Sequence, residues 1–465
     1  MDQNTNRFED LLRQRKRSLK THRYYYSRLF KQYRYLIPPG KKVLEVGCRT
    51  GELLNAVEPS SGLGVDVNPQ MIRAAQERFG HLEFRVGELT AVPAEQTFDY
   101  VILSGMLGEI EDIQAFFSQL RAHCHRDTRI IVEYYSYLWI FFFRLAEKFK
   151  LKISQRILNW ITPTDIVNFL HLTGYEPIRT ERKILCPVGI PLISYLLNKY
   201  IGNLPLFDMF TMNYFLIARP KMPPPSEQRV TIVIPCRNEK GNVEDAIRRT
   251  PSFGIGQEFL FIEGGSRDGT PDEIRRVIAA YPDKDIKFYQ QTGKGKGDAV
   301  RLGFEKAQGK VLMILDADLT VAPEDLPKFY RALVEGKGEF INGCRLVYPM
   351  EKQAMRFLNL VANKFFGIFF TWLLGQSFKD TLCGTKVLAK HHYTALAQNR
   401  AYFGDFDPFG DFDLIFGATK LNLKVIELPI RYHERQYGQT QIRRFYHGLL
   451  LFKMCFFALR KIKLR

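Results

Sequence analysis

Between Arg219 and Arg229 the chain reads RPKMPPPSEQR, with four prolines. Proline lacks an N–H and fixes φ, so neither a helix nor a central strand runs through such a stretch, and an extended spacer results. Residues 219–228 therefore read as a linker, and the 465 residues divide into an N-terminal and a C-terminal folding unit.

Downstream of the linker, Val230–Glu239 (VTIVIPCRNE) is a short β-rich run ending in proline and a polar triplet. Lys310–Asp318 (KVLMILDAD) is a second buried-strand pattern, ending in two acids one residue apart. A strand that carries Asp316 and Asp318 from an apolar core to a sheet's carboxyl edge builds a site for a divalent cation or a phosphate-bearing ligand. Carboxylates held that close need positive charge between them. In between lie a strand at Glu258–Glu263, a glycine-rich turn leading to a helix near Pro271, a strand at Ile286–Tyr289 and the basic loop Gly293–Val300. That loop is not a Walker A motif, yet Lys294, Lys296 and the amides of the following helix suit an anion.

Upstream, Lys42–Gly51 (KVLEVGCRTG) is a strand running into a glycine turn, with a helix from about Glu52. Gly62–Asn68 is a second strand ending at Asp66, followed by strands at Glu83–Glu88, Phe98–Ser104 and Arg129–Tyr134. A late strand at Met212–Ala218 and a helix at Pro163–Leu170 complete the pattern. This is the opening of a doubly wound sheet, in which the turn admits a ligand to the backbone and the acid accepts from ribose hydroxyls. The fold class is thus α/β, with two doubly wound domains.

The formal charge of +18 predicts an anionic partner. Without zinc-finger spacing or regular aromatic–basic interleaving, nucleic acid is not that partner. Seven isolated cysteines fit a reducing compartment and no disulfide framework, and the N-terminus has no apolar signal region.

The glycine turn, Asp66 and Glu88, in that order, resemble the class I methyltransferases that use S-adenosylmethionine. The resemblance implies that Glu45, Gly47 and Gly51 surround the methionine and adenosine parts, Asp66 the ribose and Glu88 the adenine. Arg49 stands where a third glycine is usual, so its side chain either obstructs the cofactor or lies outward on a negative φ. No residue stands out as a base, and alignment alone can carry methyl transfer.

In the second unit VTIVIPCRNE, EGGSRDGT, GKGKGDAVRLGF, LDADLT, DTLCGTKVL and ELPIRYHERQYGQTQI follow one another as in family 2 inverting glycosyltransferases. The resemblance covers residues 229–445 and is nearest the dolichyl-phosphate mannose/glucose synthase-like branch, which loads sugars onto polyprenyl phosphates. It implies a GT-A-type fold after the Rossmann-like methyltransferase fold, and a UDP- or GDP-sugar donor. Mg²⁺ or Mn²⁺ would be held by Asp316 and Asp318. Pro235, Arg237, Glu239, Glu263 and Asp268 resemble the nucleobase and ribose binders, with Lys296–Asp298 beneath them. The usual second strand ends in two aspartates; here Glu263–Gly264 stands there, which leaves UDP against GDP open. Arg435, with Gly438 and Thr440, lies on a loop that closes over the donor in relatives. Gln441 replaces a common lysine, leaving Arg443 or Arg444 to share the charge.

On the acceptor side, Asp413 aligns with an acid that precedes an apolar helix, with Asp411 beside it, and a hydroxyl acceptor needs such a general base. Asp405 and Asp407 continue the same alternation, which also suits an extended solvated loop. A phosphate acceptor is already ionised and would instead meet cations such as Arg345 and Lys386, in the segments that hold Asp380 and Gly384.

Tyr137–Phe143 (YLWIFFF), Ile190–Phe207, Ala354–Leu374 and Leu449–Leu459 are apolar, and several end in basic residues. None has the roughly 20 uninterrupted apolar residues of a span. They fit either protein packing, including a homo-oligomer contact, or an anionic membrane surface met by interfacial helices. The composite expectation is a helical extension over 1–37, a methyltransferase-like domain over 38–218, a glycosyltransferase domain over 229–445 and a basic amphipathic helix over 446–465. It would be peripheral to the cytoplasmic face of a membrane and act on a polyprenyl phosphate or lipid-linked glycan. Two alternatives stay open: an active methyltransferase beside a substrate-binding sugar domain, or a non-catalytic N-terminal module.

Overall fold

Fourteen strands form two separate seven-stranded sheets in the computed structural model, which describes residues 2–148, 161–221, 226–348, 357–400, 410–435, 437–438 and 444–465. In the first sheet β1 is Lys42–Val46, β2 Ser61–Asp66, β3 Glu83–Val86, β4 Phe98–Ser104, β5 Cys124–Tyr135, β6 Tyr175–Lys183 and β7 Asn213–Pro220. Their order is β3-β2-β1-β4-β5-β7-β6, parallel except that β7 runs against both β5 and β6. Strand β5 begins five residues before the apolar run that marks it in sequence. Strand β7 continues through Pro220, so Arg219 and Pro220, expected in the linker, belong to the sheet; Pro220 sits at the end of the ladder, where the missing N–H costs least.

In the second sheet β8 is Val230–Cys236, β9 Gln257–Glu263, β10 Asp285–Gln290, β11 Val311–Ile314, β12 Phe340–Cys344, β13 Lys386–Ala389 and β14 Val425–Pro429. The order is β10-β9-β8-β11-β13-β12-β14, with β13 antiparallel to both neighbours. The period-two alternation of β8 is used on both faces. Val233 joins one buried cluster with Val300, Phe304 and Phe370, whereas Ile232 and Ile234 join another with Ile274, Val277 and Phe329. The chain divides into two units, Met1–Met222 and Pro223–Lys463.

Both sheets reverse direction of growth beside a central strand, β1 in the first and β8 in the second. A crevice therefore opens at the carboxyl ends of β1/β4 and of β8/β11. Of the predicted site residues, Gly47 and Gly51 follow β1, Arg237 and Glu239 follow β8, and Asp316 and Asp318 follow β11.

The helices at the chain's ends are not free appendages. In Arg23–Leu36, Tyr33 and Leu36 are fully buried in the first unit. In Arg444–Ile462, Leu451, Met454, Cys455, Ala458 and Ile462 belong to the second unit's core, while Leu449, Phe452 and Phe456 stay exposed. Helix Phe357–Leu374 is divided likewise: Phe366, Phe370, Leu373 and Leu374 are core, Phe365 and Ile368 exposed. Residues 354–356, and the side chains of Phe357–Asn363, lie outside the described residues. Among the described residues no helix is long and apolar enough to cross a membrane.

Candidate active sites

In the second unit β11 delivers its acids as its sequence pattern predicts. Asp316 and Asp318 are half-buried beyond its last residue, and Leu319, directly after them, has φ +50. A left-handed leucine costs about 1 kcal/mol and turns the chain sharply there. The Asp316 carboxylate pairs with Lys296 Nζ at 2.6 Å. Burial pushes the Asp316 carboxyl up, but Lys296, with Lys386 and Arg345 farther off, outweighs this and holds it below the usual range. Lys296 is raised in turn, since Asp316 overcomes the effect of its own burial. Gly384 abuts this pair: a Cβ there would lie 1.8 Å from Asp316 Oδ2 and 2.4 Å from Lys296 Nζ.

Asp318 Oδ1 accepts from Thr320 N at 3.2 Å and Oγ1 at 2.9 Å, and its Oδ2 takes Arg435 Nη2 at 2.6 Å. Arg435 Nη1 donates to Glu239 Oε1 at 2.7 Å, so one guanidinium ties the late loop to the ends of both β8 and β11. Burial, with the charge of Asp318, pushes Glu239 up against the pull of Arg435. The same loop is fixed a second time, by Tyr437 OH to Asp268 Oδ2 at 3.4 Å and by its ring against Gly241.

The other predicted donor-side residues share that edge. Pro235 is partly buried and Arg237 exposed. Burial alone would raise Asp268, but hydrogen bonds from Thr270 and the Lys240 N–H hold it low. Glu263 is buried with Oε1 accepting from Ser266 N, and its Oε2 has no partner among the described residues. Asp298 Oδ2 accepts from Gly293 N at 3.1 Å and so closes the basic loop on itself, with Lys294 exposed.

Asp411 and Asp413 begin helix Asp411–Lys420, where its dipole favours them. Asp411 Oδ1 meets Lys386 Nζ at 2.7 Å, and that lysine is wholly buried and also bound to Cys383 O. Asp413 Oδ2 lies 2.9 Å from Arg400 Nε and 3.6 Å from Arg301 Nη2. Arg345 grips Asp380 with Nε at 2.7 Å and Nη2 at 2.8 Å, and stacks 5.1 Å from the Tyr432 ring. Arg301 and Arg400 carry no sequence signal toward Asp413, because only the fold brings them to it. Asp405, Asp407, Thr440, Gln441 and Arg443, and the side chain of Arg444, lie outside the described residues.

The oxygen-only donor set of Asp316 and Asp318 fits a hard divalent cation, with most of the coordination sphere left for ligand oxygens and water. Here Lys296 and Arg435 neutralise the two carboxylates, and a bound cation would share these oxygens with them or displace them.

In the first unit Gly47 and Gly51 have φ of +72 and +78, and Arg49 between them has φ +52, not the negative value that would turn it outward. The Arg49 N–H donates to Asp66 Oδ2 at 2.9 Å, and Asp66 Oδ1 accepts from Asn68 N at 2.9 Å. Its guanidinium reaches the end of β4, 3.7 Å from where a Gly105 Cβ would stand. Glu45 is buried, its Oε2 without a partner among the described residues, and burial raises its carboxyl to about 8 against the pull of Arg49 and Arg15. Glu88 is exposed. Glu133, fully buried beside the turn, accepts from Ser104 Oγ at 2.9 Å and from Asn213 Nδ2, a centre that no motif announced. A buried acid and a guanidinium at one turn match the ammonium and carboxylate of an amino-acid ligand.

A parallel-dominated sheet presenting an Asp-x-Asp pair at its switch point is the GT-A glycosyltransferase architecture, and the first sheet is that of the S-adenosylmethionine-dependent methyltransferases. Residues 231–403 match the family model of glycosyl transferase family 2, and residues 13–180 match that of a methyltransferase domain. The C-terminal unit thus carries a segment similar to family 2 glycosyltransferases, and the N-terminal unit a segment similar to methyltransferase domains.

The chain is 30% identical over 215 residues to glycosyltransferase AglJ of Haloferax volcanii, covering 46% of this chain and 66% of that protein. It is 33% identical over 221 residues to the dolichol-phosphate mannosyltransferase of Pyrococcus furiosus, covering 46% and 59%. The chain thus spans just under two thirds of the first relative and less of the second. Among solved structures, glucosyl-3-phosphoglycerate synthase of Mycobacterium tuberculosis aligns at 16% identity and TM-score 0.38, over 50% of this chain and 80% of that one.

Proposed function

We propose that the C-terminal unit is an inverting transferase that moves a sugar from a nucleotide-diphosphate donor to a phosphate borne on a polyprenyl lipid. The observation that carries this is the Asp316/Asp318 pair at the β8/β11 switch point, with Lys296 and Arg435 against it. A divalent cation bound there would neutralise the departing diphosphate. The chain's own part is to place Lys296 and Arg435 beside those oxygens and to close the loop carrying Arg435 and Tyr437 over Glu239 and Asp268. The acceptor assignment follows from Asp411 and Asp413. Both carboxylates are already engaged by cationic side chains, Lys386 and Arg400, and an ionised phosphate acceptor needs no general base. The dolichol-phosphate mannosyltransferase relative supports the same acceptor class. A lipid acceptor places the reaction at a membrane surface, and the exposed Phe365, Ile368, Phe452 and Phe456 give this unit an apolar face of its own.

The N-terminal unit, in this reading, binds S-adenosylmethionine and methylates the same product or a related lipid or sugar, with fusion raising the local concentration between steps. Arg49 would meet the cofactor's carboxylate and Glu45 its ammonium. Arg49→Gly keeps the left-handed turn and removes the charge, so the affinity should fall about 10- to 100-fold, the worth of one charged hydrogen bond. The rise in melting temperature on adding S-adenosylmethionine shrinks accordingly. An undiminished rise removes Arg49 from the site.

The reading as a whole is tested by incubating the full chain with a polyprenyl phosphate and a panel of UDP- and GDP-sugars, with and without S-adenosylmethionine, and weighing the lipids by mass spectrometry. A hexose added to the lipid phosphate is expected, with a further methyl when the cofactor is present. No sugar on lipid from any donor overturns it.

A further inference from the structure

The first unit exposes an apolar face that neither proposed reaction uses. Tyr137, Phe141 (69% exposed) and Phe142 come from one segment, and Leu192 (70%), Leu206 (78%) and Phe210 from another. Trp139 joins the two, its Nε1 donating to Phe210 O at 2.8 Å and its ring packing 5.4 Å from that of Phe142. Beside them Tyr137, Leu138, Ile140, Phe141 and Arg144 line an open hollow of about 530 Å³. Large apolar side chains exposed on two segments that Trp139 brings together mark an interaction surface.

Cations border this face. Arg144 and Lys148 follow the aromatic run on helix Ile140–Lys148. Lys199 donates to Tyr195 OH and lies over the rings of Tyr195 and Tyr200, at 4.8 and 5.7 Å. The hydrogen bond from Lys199, with the charge of Lys31 beyond it, holds the Tyr195 phenol below its usual range, a sign of positive potential at the rim. Asp208, an acid inside the patch, is paired with Arg182 at 3.9 Å. Exposed aromatic rings, including tyrosines, ringed by lysine and arginine are the chemistry of the headgroup–acyl boundary.

We propose that the Tyr137–Lys148 and Val188–Phe210 segments form a docking surface for an anionic lipid bilayer, separate from the apolar face of the glycosyltransferase unit. This deepens the proposal of a membrane-borne acceptor and rests on it only for its purpose, since vesicle binding is measured without acceptor, donor or cofactor.

The test floats the full-length protein with vesicles of phosphatidylcholine, with or without phosphatidylglycerol, and compares Phe141→Glu/Leu206→Glu. The wild type should float with the anionic vesicles more than with the neutral ones, and the variant's partitioning should drop by about tenfold or more, at unchanged melting temperature and mass. Unaltered flotation overturns the proposal. A lowered melting temperature also does so, by showing the face packed against protein, as does a wild-type dimer that the variant dissolves. Brominated lipids supply a second reading on the unaltered surface: they should quench wild-type tryptophan emission, and Trp139→Phe should remove most of that quenching. Quenching unaffected by Trp139→Phe counts against the proposal. Failure of sugar transfer in the presence of this binding would strike the acceptor reading alone.

Discussion

Asp318→Asn is expected to reduce sugar transfer, and hydrolysis of the donor, about a thousandfold at saturating Mn²⁺. The amide keeps the side chain's shape and still accepts from Thr320, so the β11 turn survives. It gives up the negative charge that would hold a divalent cation and that now meets Arg435 at 2.6 Å. A cation at a departing diphosphate is worth several kcal/mol, and about 4 kcal/mol converts to that rate. Arg435→Gln separates the two losses. It frees the loop from Glu239 and Asp318 but leaves both acids, so its residual turnover should still rise with added Mn²⁺, whereas that of Asp318→Asn should not. Turnover of Asp318→Asn equal to wild type would end the assignment of Asp318 as a ligand.

The expectations made from sequence held best where one strand carries its own signal. Phe98–Ser104 and Pro163 at the start of a capped helix fall where their patterns put them, Thr162 and Asp165 forming a reciprocal cap. The acids of KVLMILDAD emerge at the carboxyl edge because an uncharged run of that length has to lie within the sheet. What the sequence leaves undecided depends on residues far apart in the chain. The apolar side of helix Arg444–Ile462 reads the same whether lipid or protein covers it, and much of it joins the buried cluster that holds Phe370 and Phe412. Truncation after Gly448 would therefore remove core residues as well as any lipid contact. The pairing of Lys296 with Asp316, and of Arg400 with Asp413, joins segments that no local periodicity connects. Arg49 is a different case: its type argues for negative φ, and the turn imposes +52 through the bond from its N–H to Asp66.

Lys386→Met should lower the melting temperature of the glycosyltransferase unit by about 10 °C. Lys386 has no exposed side-chain surface and is bound by Asp411 Oδ1 at 2.7 Å and by Cys383 O. Removing it leaves a carboxylate buried without its counter-charge, a loss of about 3–5 kcal/mol, and a unit of this size shifts by about 2–4 °C per kcal/mol. Replacing both partners with apolar side chains is far milder, so Lys386→Met/Asp411→Leu should recover more than half of the loss in a calorimetric scan. The pair thus separates a packing role from a role in the reaction. If Lys386 instead grips the acceptor's phosphate, Lys386→Met loses transfer while keeping its melting temperature. If Asp411 is the general base, the double variant regains its stability but not its turnover. With an acceptor that is already ionised and with both residues acting through the fold, turnover should follow the melting temperature down in the single variant and back up in the double.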